Sequence, residues 1–435
     1  MISNLKINSN KKRVYIIAFL TLLTSLYSSN QWSDFPIGNE VFWWTVQIIY
    51  VYLAIKSSFF YKSQKINKNL FLVKLYLFWI VICIFRGIFV ADNYWEWKFL
   101  ISTSFFLLLP FIVYLATDTA SVKIILKTWF KYSLFIFVLI SPFLRGDAIG
   151  KFLIPFATLL LFFPILNFKW KIITLSITVF VLLFDISARS NLIKFIIPFL
   201  IGLLFYLKNK LSNNLLNSIR IMILVIPIVL LLLASSKIFN VFKLDEYIGE
   251  YTTSLVSSDG EVKEENLTAD TRTFLYIEVI ESALKNEYVF FGRTPARGND
   301  SSYFGGYNKE VLKTGKSERF ANEVSILNIF TWLGIIGAIL YFMIFIKATY
   351  LAVNQSNNIF IKLIGINVSF RWTFGFVEDI SSFDLSNIFL WLMIGMCFSE
   401  SFRKMNNRDV KNWVRDIFDK KKPIASKMIH NHIIN

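Results

Sequence analysis

Histidine and cysteine are nearly missing from this chain of 435 residues, with two of each. Both histidines, His430 and His432, lie in a polar tail, so a histidine-based metal site or catalytic triad within the apolar body is excluded by inventory. Cys83 and Cys397 fall inside apolar runs and there is no C-x-x-C, which leaves neither a disulfide framework nor a thiolate metal site. Both read as small apolar filler. Charge is scarce as well: 17% of residues are Asp, Glu, Lys or Arg, where a soluble domain has about a quarter. No internal repeat or low-complexity segment is evident. The first apolar run is followed by Gln31-Trp32-Ser33-Asp34 without a small-x-small cleavage pattern, so it reads as a retained span and not as a signal peptide.

What fills the chain is hydrocarbon. It is 55% hydrophobic with 46 phenylalanines and a mean hydropathy of +0.54. Apolar runs of roughly 18–20 residues are the signature of transmembrane helices. They occur near 14–29, 41–60, 70–90, 98–116, 126–144, 151–167, 170–186, 191–207, 219–236, 323–346, 357–376 and 385–399, about twelve in all. The expected fold is therefore all-α, a polytopic membrane protein. Nine spans precede residue 237, a large polar loop covers 237–322, three spans occupy 323–400, and a basic tail runs through 401–435.

The links between runs alternate in character. Those at 56–68, 123–127, 169–171 and 208–220 are basic, and those at 34–40, 92–96 and 378–384 are acidic. Under the positive-inside rule, both termini are expected in the cytoplasm and the large loop outside. Trp32, Trp43, Trp44, Trp95 and Trp97 read as an aromatic belt at the outer interface. The net charge of +17 collects in short links and at the ends. It therefore points to anionic membrane lipids, at about 1 kcal/mol per basic residue, and not to nucleic acid.

Chemistry has one obvious place to happen, the large loop. It carries Arg272, Arg293, Arg297 and Arg319 among many carboxylates. Guanidinium groups grip phosphate oxygens through paired hydrogen bonds, and several converging could hold a pyrophosphate without a metal. Against this stands the plain reading that each arginine is paired with a neighbouring carboxylate. Residues 271–286 have apolar positions at helical spacing, with Asp270 or Thr271 as N-cap, and a glycine-rich return follows. Asp185 and Arg189 stand at the outer end of the seventh run, where an arginine runs against the charge rule and calls for an anion or a carboxylate such as Asp185. Glu323 opens the tenth run, as a first-turn carboxylate or as part of a polar rim, and Glu378, Asp379 and Asp384 could serve likewise.

In their order these residues resemble a family. The order is Ser187-x-Arg189, then Asp270-Thr271-Arg272 opening a loop helix, Phe291-Gly292-Arg293, and a span beginning Asn322-Glu323 and continuing Trp332-Leu333-Gly334-Ile335-Ile336-Gly337. The pattern, over roughly 170–345, is similar to the bacterial O-antigen polymerase (Wzy-type) and O-antigen ligase superfamily. The resemblance implies a GT-C-like, inverting glycosyltransferase of the inner (plasma) membrane that needs no metal or other cofactor. Its donor is a glycan on undecaprenyl pyrophosphate, and it works alongside a flippase and a chain-length regulator. It assigns catalytic roles to Arg189 and Arg272 and places Gly292 at the end of the loop helix. Glu323 is the candidate to orient or deprotonate the acceptor, with Arg293, Arg297, Arg319 and Asp185 as substrate-binding candidates. Ligases place a histidine where this chain has Ala321, which favours a polymerase. The ligase and a lipid-linked-glycan transporter remain the alternatives.

Overall fold

The computed structural model describes residues 2–30, 33–63, 68–184, 189–243, 245–249, 252–256, 262–266 and 270–419. The chain opens with α1 (Ile2–Asn30), α2 (Glu40–Ser63) and α3 (Phe71–Val90). It continues through α4 (Tyr94–Leu107), α5 (Ile112–Ala116) and α6 (Thr119–Ile140). Two short helices follow, α7 (Ala148–Leu153) and α8 (Pro155–Leu160), and then α9 (Phe168–Phe184), α10 (Arg189–Leu203) and α11 (Asn213–Ser235). The polar loop holds α12 (Asp245–Ile248), an antiparallel hairpin of β1 (Thr252–Val256) and β2 (Val262–Asn266), and α13 (Thr273–Lys285). A two-residue ladder of β3 (Asn299–Asp300) on β4 (Glu318–Arg319) closes it. The last elements are α14 (Ser325–Asn354), α15 (Ile359–Phe374), α16 (Leu385–Phe398), α17 (Glu400–Lys404) and α18 (Asn407–Phe418).

The described residues are all-helical apart from those two small ladders, and the protein is membrane-embedded by composition. Among the described residues, six helical segments are long and apolar enough to cross a bilayer. Each of the twelve apolar runs falls on helix, but they are not alike. The run at 151–167 is broken by Pro155 and Pro164 into α7, α8 and a tight turn, Phe163–Ile165. Proline supplies no N–H and clashes with the preceding turn, so one straight helix cannot form there. The pieces are interior: Phe152, Leu153, Phe156, Leu160 and Leu161 are fully buried. α16 is buried along nearly its whole length and forms the axis of the bundle. Outer helices instead present Phe78, Phe85 and Phe89 of α3, Phe135 and Val138 of α6, and Met222 and Leu232 of α11 to the surroundings, as a lipid-facing surface requires.

The tail is more structured than its basic composition implies. Val410, Trp413, Val414 and Ile417 recur at helical spacing and are buried on one face of α18. That face packs at the start of α6, where Lys123 Nζ meets Asp416 at 2.9 Å and Trp413 Nε1 donates to Thr119 O at 3.0 Å. Burial of an amphipathic stripe fixes 407–418 to the bundle, and Lys420, Lys421 and Lys422 lie outside the described residues.

The loop is spliced into the bundle at one glycine. Gly334, with φ +68° and ψ −174°, interrupts α14 and frees backbone groups that need partners. Arg293 N donates to Thr331 O at 2.7 Å, Ile335 N to Val289 O at 2.8 Å, and Trp79 Nε1 to Leu333 O at 2.9 Å. Arg86 of α3 clamps the inserted segment by donating to Phe291 O at 2.7 Å and Gly292 O at 3.2 Å. Gly292, itself at φ +71°, lies so close to Gly334 that a Cβ on it would stand 2.5 Å from the Gly334 nitrogen. Neither position admits a side chain.

Candidate functional site

α13 begins at Thr273, two residues later than the expected start, with Arg272 and not Asp270 or Thr271 as its N-cap. Asp270 Oδ1 accepts from Arg272 N at 3.0 Å and Thr273 N at 2.9 Å, which folds the chain into the helix from just before it. Leu275 and Val279 pack on Val324 and Leu327 at the start of α14, which fixes the helix over the end of the bundle. Its first residues thereby present Arg272 to a cleft of about 580 Å³ between the loop and the helix ends. Arg272 Nη1 meets Glu323 Oε2 at 2.6 Å, and Arg319 Nη2 meets Glu323 Oε1 at 3.1 Å. Arg319 also stacks on Phe304, 4.1 Å from the ring centroid, and its Nη1 is buried without a hydrogen-bond partner.

Opposite this arginine pair, Lys194 of α10 is only 8% exposed. Its Nζ meets Glu378 Oε1 at 3.0 Å and Ser190 Oγ at 3.1 Å. A buried ammonium is tolerated only with such partners. Lys151 of α7 lines the same cleft, and Asn191 donates to Asp147 Oδ1 at 3.0 Å. Behind the wall, Arg371 of α15 is 5% exposed and donates from Nη2 to Ser386 Oγ at 2.7 Å. Its Nε is buried without a partner. The lining is nevertheless rich in carboxylates, with Asp147, Glu323, Glu378, Asp379 and Asp384 beside Lys151, Lys194 and Arg272. Carboxylates thus outnumber cations in the lining, and Arg272 and Lys194 are each paired with one of them.

Arg293 and Arg297 lie in a second cluster. Adjacent strand residues point to opposite faces, so Glu318 turns away from Arg319 and toward this cluster. Arg293 meets Asp300 Oδ1 at 2.6 Å and Glu318 Oε1 at 3.1 Å. Arg297 Nε donates to Glu318 Oε2 at 2.9 Å, with a second bond from Nη2 to Oε1. Lys316 reaches Glu96 of α4 at 2.7 Å and Asp92 at 3.0 Å. The hydrogen bonds it donates to Glu318 hold the Arg297 guanidinium above its ordinary pKa against the cost of burial. Burial would raise the Asp300 carboxyl, but hydrogen bonds from Asn286, Arg293 and Lys285 outweigh it and hold the group below its ordinary value. This arrangement satisfies its own charges and ties the loop to α4.

Of the site residues read from the sequence, Arg272, Arg319 and Glu323 come together at the first cleft, and Arg293 and Arg297 come together at the second cluster. Gly292, expected at the end of the loop helix, lies beyond the Asn286 C-cap of α13 and instead shapes the splice into α14. Asp185 lies outside the described residues, as does the side chain of Arg189, whose backbone opens α10. Sequence reasoning missed Lys151, Lys194 and Arg371. All three are charges within apolar runs, which is the signal that marks an ionisable group inside a membrane protein. No family model, curated protein or solved structure matches this chain.

Proposed function

We propose that this protein polymerises oligosaccharide repeat units carried on undecaprenyl pyrophosphate, for an O-antigen or capsular polysaccharide. It would do so at the periplasmic face of a bacterial inner membrane, with about twelve spans and both termini in the cytoplasm. The observation that carries the reading is the convergence of Arg272 and Arg319 on a single carboxylate, Glu323, at a cleft roofed by the loop. A carboxylate gripped by two guanidiniums occupies the place a phosphate takes in such a clamp.

In the reaction, the acceptor sugar's hydroxyl oxygen bonds to the anomeric carbon at the base of the growing chain. The bond from that carbon to the pyrophosphate oxygen breaks, and the lipid pyrophosphate leaves with the electron pair. Arg272 and Arg319 stabilise the charge that develops on it. Phosphate displaces Glu323 from the arginines, and the freed carboxylate takes the hydroxyl proton. Anionic lipids surround the protein, a flippase delivers the repeats and a chain-length regulator acts on the product.

A deletion strain tests this. It is expected to carry surface glycan as single repeats, restored to long chains by the wild-type gene. Arg272→Lys keeps the charge but loses the planar fork, so it should restore protein level and lose on the order of 10²-fold in polymer formation. Long chains retained on the carrier lipid would identify a ligase instead. Repeats trapped on the cytoplasmic leaflet would identify a transporter.

A further inference from the structure

Next to the Arg272 cleft lies a larger one of about 780 Å³. The two are continuous, because Ser28, Lys151, Ser382 and Asp384 line both. The outer part is built from the end of α1, the start of α2 and the start of α4. Tyr27, Trp43 and Trp44 supply its rings, while Asn30, Asn39, Glu40 and Lys98 supply its polar groups. We infer that this second cleft is a saccharide-binding channel, which receives the non-lipid portion of the glycan whose pyrophosphate sits at Arg272. The inference rests on the polymerase reading.

The chemistry of the lining selects the occupant. A sugar ring has C–H faces that lie against aromatic rings and hydroxyls that both donate and accept. Tyr27 and Trp43 pack with centroids 5.3 Å apart, and both indoles are held in place. Trp43 Nε1 donates to Ile37 O at 2.7 Å and Trp44 Nε1 to Ser102 Oγ at 3.2 Å. Membrane-interface anchoring alone does not explain why these rings edge a polar cleft. An acyl chain would meet the charged Glu40, Lys98, Lys151 and Asp384, and a phosphate would find no guanidinium in this lining, with Lys98 already paired to Glu40. One helical turn beyond Trp43, the buried Gln47 hydrogen-bonds the Tyr27 hydroxyl and holds that ring against Trp43. Glu40 and Asp384 of this cleft can accept from sugar hydroxyls.

The test uses the full-length protein in detergent and two probes. One is the lipid-free repeat oligosaccharide, released by mild acid from the carrier lipid of the producing strain. The other is inorganic pyrophosphate. The oligosaccharide should change the tryptophan emission on binding, and Trp44→Ala should weaken its binding about tenfold. Trp44→Phe, which keeps an aromatic face, should recover most of the loss. Glu40→Gln, a second variant that keeps the fold, should also weaken binding. Arg272→Lys should leave oligosaccharide binding within about twofold while pyrophosphate binding is lost. Oligosaccharide binding that is absent, or unchanged in Trp44→Ala and Glu40→Gln, overturns the channel and leaves the polymerase reading standing if pyrophosphate still depends on Arg272. Oligosaccharide binding that depends on Trp44, in a protein whose deletion leaves polymer length unchanged, keeps the channel and overturns the polymerase.

Discussion

Gly334 shows how much of the architecture depends on single atoms. Its φ and ψ lie where only glycine is comfortable, and a Cβ there would stand 2.3 Å from Phe290 O. Holding a side chain in such a region costs about 1–3 kcal/mol before the clash is counted. Gly334→Ala should therefore lower the thermal midpoint of the purified protein and increase protease cleavage of the 289–293 segment it receives. Gly306→Ala is the control, because Gly306 has helical angles and open space around its missing Cβ; it should leave both measurements unchanged. At this scale the sequence made Arg272, Arg319, Glu323 and Gly292 visible as candidates, because arginines and glycines stand out in a polar loop. It could not sort the arginines by partner. Glu318 and Arg319 are neighbours in sequence, and only the strand between them sends one to Arg293 and Arg297 and the other to Glu323. Lys194 and Arg371 stayed hidden because one charge barely lowers the hydropathy of a long apolar run.

The elements were legible wherever hydrophobic runs are long, since continuous apolar stretches report helices whatever they pack against. Breaks inside them went unread: Pro155 and Pro164 divide the run at 151–167, and Pro110 separates α4 from α5 through the tight turn Leu109–Phe111. α18 was concealed by its charges, although Val410, Trp413, Val414 and Ile417 already follow helical spacing. The loop's attachment to α4 is a tertiary property of ion pairs, and its pH dependence follows from their shifts. Asp300 is held below its unfolded pKa, so its stabilisation is whole above about pH 4 and is lost as pH falls further through the depressed value. The Lys316 ammonium is disfavoured by burial, but the hydrogen bonds it donates to Glu96 and Asp92 more than offset this and raise its pKa. Its contribution is whole below about pH 10 and is lost as pH rises through the raised value. Hydrogen exchange across 293–319 should therefore be flat between about pH 5 and 9, once corrected for intrinsic rates, and rise sharply below about pH 4. Unchanged protection at pH 3 would show that the ion pairs do not anchor the loop.

For the whole molecule, sidedness depends on whether every apolar run carries the chain from one end of the bundle to the other. The broken run is the critical case, because a segment that entered and returned would invert everything after it. Lys151, at its start, lines the clefts with Arg272 and Trp43. Asn167, just past its end, donates to Asp419 Oδ1 at 3.1 Å beside α18, at the opposite end. The chain therefore traverses the bundle between these residues in spite of both prolines. α4 and α5 do the same around Pro110, from Glu96 under the loop to Thr119 under Trp413. With those crossings counted, the basic links at 169–171 and 208–220 fall on the side of α18, and the loop falls on the other. The proposed orientation, with the α18 end in the cytoplasm, is the one that obeys the positive-inside rule for those links. A reporter active only in the cytoplasm should work when fused near Lys210 or Asp419 and be silent near Glu264. Activity at Glu264 would reverse the orientation and, with it, the assignment of both clefts to the periplasmic face.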